Sequence, residues 1–195
     1  MCEHESFAIL GSVSDFLEEL VSKTEDLGIV LDGKEIDHIC YRAASLPEYR
    51  DIFDKLHQCG CLLVESMIGG RPIATFQLNQ PLAFKQWEVR CIELASPKPG
   101  RIHHHGLEHA EVVIGTTSHD PHFSEQLLLD FIQKYPDIQF DKRAIKKKIN
   151  ADVSITIREG MSVKFHARPL YEVIEEEKSL GLVEPVPADY FSINS

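Results

Sequence analysis

Hydrophobic and polar positions alternate along this chain in two rhythms. Phe7, Leu10, Val13, Phe16, Leu17, Leu20 and Val21 recur at helical spacing, so a helix is predicted over residues 6–28, with Gly28 as its stop. A turn in "VLDGKE" leads to a period-2 stretch, "IDHICYR", which reads as a strand. Residues 45–60 predict a capped helix: Ser45 suits the N-cap, Pro47 and Glu48 the first turn, and Gly60 the stop. Strands follow at 61–68, 71–78 and 86–94, the first two joined by Gly69-Gly70, a hairpin signal. The order then restarts. "LEHAEVVIG" (107–115) reads as a strand, and 117–136 as a loop and helix. Residues 138–149 give no clear rhythm; "DVSITIRE" and "MSVKFHA" form a hairpin around Glu159-Gly160, and 168–179 is helical.

Both halves therefore read as βαβββ, and both open on an acid–histidine pair, Asp37-His38 and Glu108-His109. The predicted fold class is α+β. Paired βαβββ modules form a curved, mostly antiparallel sheet around a polar cup, with helices packed on the outer face and an N-terminal helical extension. Residues 1–195 are expected to be one domain: extension 1–35, first half 36–100, second half 101–180, and a Pro-rich irregular tail 181–195.

Strand alternation assigns the faces. Ile39, Ile92, Leu94, Ala110, Val112, Val163 and Phe165 fall on apolar faces that should pack under the helices. Three histidines (His38, His109, His166) and two glutamates (Glu93, Glu111) fall on the opposite faces, together with Cys40, Arg42, Arg71 and Lys164. Strict alternation sends Asp37 and Glu108 to the other side, where they orient neighbours or simply mark strand entry. If the sheet curls, the polar groups converge. Imidazole and carboxylate converging in a cup suit a divalent first-row metal, with zinc, iron, manganese and nickel all acceptable to such a donor set.

Composition narrows the partners. A formal net charge of −11 argues against a nucleic-acid partner, and the basic run "KRAIKKK" (142–148) reads as a solvated edge. No apolar run is long enough to span a bilayer, and the N-terminus lacks the basic-then-apolar order of a signal peptide, so no membrane partner and a cytoplasmic location are expected. The five cysteines read as free thiols, and Cys59 and Cys61 as strand residues buried on one face. His103-His104-His105 would chelate nickel or zinc adventitiously, with His104 or His105 flanking the cup mouth.

The stretches "DHICYR", "CGCLLVESMIGGRPIATFQL", "IELASPKPG", "GLEHAEVVI" and "SVKFHARPLYEVI" resemble the YecM family of bacterial proteins. The βαβββ pair is similar to the vicinal oxygen chelate superfold of glyoxalase I, bleomycin-resistance proteins and extradiol dioxygenases. That resemblance implies metal ligands on the first and fourth strands of each half, which are His38, Glu93, His109 and His166 here. Where the glyoxalase branch has a glutamate in its last strand, this chain has His166, so glyoxalase chemistry itself is not implied, nor any defined substrate.

The expectation is a metal-dependent enzyme acting on a small molecule with adjacent oxygens, the ion serving as Lewis acid; isomerase, lyase and oxidoreductase outcomes all fit. Glu111 is a candidate base, a substitute ligand or a partner for Arg42 or Arg71. Arg42 and Arg71 would clamp an anionic substrate or balance charge. The competing class is a binding protein that uses the same cup without catalysis.

Overall fold

The computed structural model describes residues 9–98, 100, 104–115 and 121–194. It contains β1 (Glu35–Arg42), β2 (Gly60–Ile68), β3 (Arg71–Phe84), β4 (Trp87–Ala95), β5 (Gly106–Val113), β6 (Asp152–Arg158) and β7 (Met161–His166). The helices are α1 (Val13–Asp26), α2 (Leu46–Cys59), α3 (Pro121–Gln133), α4 (Leu170–Ser179) and the short α5 (Tyr190–Ile193).

The seven strands form one open sheet in the order β2-β3-β4-β1-β5-β7-β6. β1 runs parallel to β4 and β5 parallel to β7, while the other neighbouring pairs are antiparallel. The first half is the expected βαβββ. The second holds three strands, because residues 138–149 contribute only a single bridge, Asp141 to Ser154. "FDKRAIKKKIN" lacks the alternation that would hold a longer ladder.

Helices and sheet share one apolar core. α1 buries Val13, Phe16, Leu17, Leu20 and Val21 and packs over β5, β6 and β7. α2 buries Tyr49, Ile52, Leu56 and Cys59 over the first half. Each fully buried large side chain contributes about 1.5–3 kcal/mol. The single helix expected over 6–28 is interrupted at Gly11, whose φ of 83° is costly for other residues; Ser12 then precedes α1. At its far end Gly28 does stop the helix, with φ 85°.

Ser45 caps α2 by accepting the Glu48 backbone N–H at 3.2 Å. Gly60 is extended rather than left-handed. Its reason is space, since a Cβ there would lie 2.3 Å from the Gln77 carbonyl oxygen. Cys59 thus ends a helix, buried, while Cys61 stands exposed on β2, so the two do not share a strand face as expected. β3 runs six residues beyond the predicted 71–78, with its ladder irregular between Gln77 and Leu82 around Pro81. The tail bridges β2 through Ser66 and Pro185, and Phe191 stacks on Tyr49 at 5.8 Å. Among the described residues, no helix is long and apolar enough to cross a membrane.

Candidate metal centre

Opposite the core lies the polar face. Cross-strand pairing sets its rows: His38 pairs with Cys91 and Glu111, Cys40 with Glu93 and His109, and Glu111 with Lys164. Paired residues share a face, so the histidines, glutamates and Lys164 all stand on one side.

Two β-bulges change that face. Between Ile36 and His38, β1 carries one residue more than β5, and Asp37 is the unpaired one. Between Cys40 and Tyr41 the surplus lies on β5, and Glu108 is the unpaired one. Ile36 and Ile39 both reach the apolar core, as do Leu107 and Ala110. Both residues between each such pair must therefore face the cup. Asp37 and Glu108 do not point away, as strict alternation predicted. They turn inward beside their own histidines.

Each acid then addresses its neighbour's Nδ1. Asp37 Oδ2 lies 2.7 Å from His38 Nδ1. It also accepts the Leu170 backbone N–H at 3.0 Å, at the start of α4. Glu108 Oε1 lies 3.9 Å from His109 Nδ1, while its Oε2 accepts from Arg42 Nε. Carboxylates at Nδ1 turn the Nε2 atoms toward the interior, the arrangement that orients histidine ligands in metal sites.

The Nε2 atoms converge on Glu111. Its Oε1 lies 3.5 Å from His38 Nε2 and 3.3 Å from His109 Nε2. His166 Nε2 is 3.9 Å from Glu111 Oε2 and 3.9 Å from Asp37 Oδ2. The His38 ring centroid lies 6.4 Å from that of His109 and 6.1 Å from that of His166. Donors around a tetrahedral ion with bonds of about 2.0–2.2 Å stand about 3.3–3.6 Å apart, so these spacings suit one after small adjustments.

Among the described residues, three overlapping sets of donor atoms result: Asp37, His38 and His166; His38, His109 and Glu111; Cys40, Glu93 and His109. Of the four expected ligands, His38 meets His166 in one set and His109 in another. Glu93 meets only His109, at 3.9 Å, together with the Cys40 thiol. Glu111, expected as a base or substitute ligand, is the carboxylate nearest the centre.

Among the described residues, His38 Nε2, both His166 nitrogens and Glu111 Oε2 are buried with no hydrogen-bond partner. Such atoms are costly unless a further group satisfies them. In this respect the donor set fits a divalent cation.

Lys164 complicates the centre. Its Nζ donates to Glu111 Oε1 at 2.6 Å and lies 2.9 Å from His109 Nε2. An ammonium only donates, so His109 Nε2 accepts and the ring proton sits on Nδ1 facing Glu108. Burial opposes the ammonium charge, but Glu111 and Glu93 outweigh it and hold the Lys164 pKa above its usual value. Burial likewise opposes ionisation of Glu111, yet Lys164 and His38 hold its carboxyl well below the usual range. Burial would lower His38, but Glu111 and Asp37 carry it up to about 10. Burial leaves His166 lowered and neutral.

Arg42 pairs with Glu108, not Glu111, and Arg71 stands apart from Glu111 at the head of β3. A cavity of about 290 Å³ opens beside Arg42, lined also by His104, Glu108, Arg158, Gly160 and Ser162. His104 lines that cavity, 3.1 Å from Glu159. His103 lies outside the described residues.

Sequence reasoning sent Asp37 and Glu108 outward, and it placed Cys40 on the cup face without reading its thiol as a donor. A signal for Asp37 was present. "IDHI" and "LEHA" each place two polar residues between apolar ones, which a strict period of two forbids and a bulge restores.

The family model described as YecM protein matches residues 5–177. Protein YecM of Escherichia coli (strain K12) is 29% identical over 181 residues, covering 88% of this chain and 93% of that one. An uncharacterized protein of Haemophilus influenzae is 29% identical over 107 residues, covering 55% of this chain and 56% of its own. A solved structural-genomics structure, Protein EC4020, superimposes with a TM-score of 0.69 at 28% identity, over 89% of this chain and 93% of that one. A mutant of 4-hydroxymandelate synthase from Streptomyces coelicolor reaches 0.29 at 11% identity, which carries no argument about fold or chemistry.

Proposed function

Because the chain belongs to the YecM family, whose model spans most of its length, we propose that the family's cup in this chain is a divalent-metal site for a small, oxygen-rich substrate. The observation that carries this reading is the convergence of unpartnered buried donors: His38 Nε2, the His166 nitrogens and Glu111 Oε2. His38, His109 and His166 would hold the ion with one carboxylate, Glu111 or Glu93. Zinc, iron, manganese and nickel all suit that set. When bound, the ion supplies Lewis acidity to a substrate oxygen.

The chain's own residues do the rest. Asp37 and Glu108 fix the orientation of His38 and His109. Lys164 holds Glu111 ionised, so Glu111 accepts a proton only weakly and serves better as a ligand than as a base. Arg42 and Arg71 orient an anionic substrate from the cup rim. The reaction would be an isomerisation, a lyase step or an oxidation.

A second reading has its own support. Lys164 already neutralises Glu111, so the cup could bind a small molecule without catalysis.

Elemental analysis of untagged protein, with His104→Ala plus His105→Ala to remove adventitious binding, tests the first reading. About one ion per chain is expected, and it should be lost in His38→Ala plus His109→Ala. An ion-free wild type, or unchanged content in that double variant, would refute it. Turnover of 2-oxo aldehydes, hydroxy acids or catechols separates enzyme from binder.

A further inference from the structure

The cup has a second end. Beyond the histidines, the same face carries Arg71 at the start of β3 and Arg42 at the end of β1, with the Ser96 backbone just past β4 beside them. These segments are stitched together there. The Ser96 backbone N–H donates to the Pro72 carbonyl at 3.1 Å, and Arg42 Nη1 donates to the Ser96 carbonyl at 3.4 Å.

Two features of this corner lack an internal explanation. Arg71 is only 7% exposed, its Nε is buried without a hydrogen-bond partner, and it forms no ion pair among the described residues. Arg42 is 5% exposed, and Glu108 and the Ser96 carbonyl engage only its Nε and Nη1. A guanidinium has five N–H donors, and a buried one without an acceptor is costly. Burial lowers the Arg71 pKa, and the Arg42 charge lowers it further, so the two cations repel each other.

We infer that Arg71 and Arg42 form a buried oxyanion subsite that takes a carboxylate or phosphate group of the ligand. An oxyanion accepts from both guanidinium groups, and it relieves the repulsion. Glu108 does not preclude this, because it occupies the opposite, Nε edge of Arg42.

The strand register also sets a length. Arg42 lies two residues from Cys40, which pairs with Glu93 and His109. Two residues of strand span about 7 Å. Resting on the metal reading for its other end, the subsite selects a small oxyacid whose anionic group lies a few bonds from the oxygens that reach the histidines.

The test uses the full chain, stripped of metal and dialysed, titrated with inorganic phosphate and separately with malonate. Ionic strength is held constant with chloride. Either probe should raise Tm progressively with concentration. Arg71→Met should weaken binding by about tenfold or more, the loss expected for a charge-assisted hydrogen bond. The same variant should fold at least as stably as the wild type, because it removes an unpaired buried cation. A larger response to malonate assigns a carboxylate ligand, and a larger response to phosphate a phosphoryl one. Equal responses in wild type and Arg71→Met, or none in either, overturn the subsite. The metal reading is judged separately, because this titration contains no metal and elemental analysis contains no oxyanion.

Discussion

The two acid–histidine pairs use one device in two settings. Asp37-His38 and Glu108-His109 each sit on a one-residue bulge of the central antiparallel pair, and each directs a carboxylate at Nδ1. Asp37 is sealed: it is 3% exposed, bonded to His38 and to the first N–H of α4. Glu108 is at the mouth, with 28% of its side chain exposed, paired to Arg42 and lining the cavity. The same local geometry therefore builds a rigid floor at one pair and a solvent-facing rim at the other. Function that needs access belongs to the Glu108 side, and stability rests more on the Asp37 side.

The sharpest way to break this comparison is to remove each acid. Asp37→Ala leaves a buried imidazolium and an orphaned Leu170 N–H, and should destabilise by about 3–5 kcal/mol. Glu108→Ala should cost less, about 1–3 kcal/mol: Arg42 is itself buried, but it borders the cavity, where water can satisfy part of its freed edge. Urea unfolding of both variants gives the ratio, and equal losses would erase the distinction.

A second effect comes from pH. The His38 pKa in the metal-free fold is raised to about 10, above the unfolded value of about 6.5. A raised pKa means that the folded state holds the proton more tightly. That stabilisation is fully present below about pH 6.5 and is lost as pH climbs toward 10. Metal-free protein should thus lose stability across that interval, and His38→Gln should flatten the profile. Metal affinity should move the opposite way, rising as the proton leaves.

The last effect, on metal affinity rather than on folding, concerns Lys164, whose ammonium lies 2.9 Å from His109 and 2.6 Å from Glu111. A cation that competes for these donors weakens metal binding. Lys164→Met should tighten it by about tenfold, equivalent to about 1.4 kcal/mol, measured by competition with a chromogenic chelator. Unchanged affinity would mean that Lys164 swings clear without penalty.

Much of the fold was legible in the sequence. Alternation is local, so His38, Glu93, His109, Glu111, Lys164 and His166 could be assigned to one face without knowing which strands pair. The N-cap at Ser45 and the stop at Gly28 were legible for the same reason. The break at Gly11 and the continuation of β3 past Leu78 were not read. Nor was the reduction of 138–149 to a bridge, because an edge strand's length depends on what its neighbour offers.

The sequence by itself determined which side chains share the polar face, since a period of two is a property of the strand. Only the tertiary structure decided how far apart they stand. Two bulges brought Asp37 and Glu108 inward, register put Glu111 between three imidazoles, and Lys164 came to rest among them. Those distances arise from pairing between strands remote in the chain, and no local pattern encodes them.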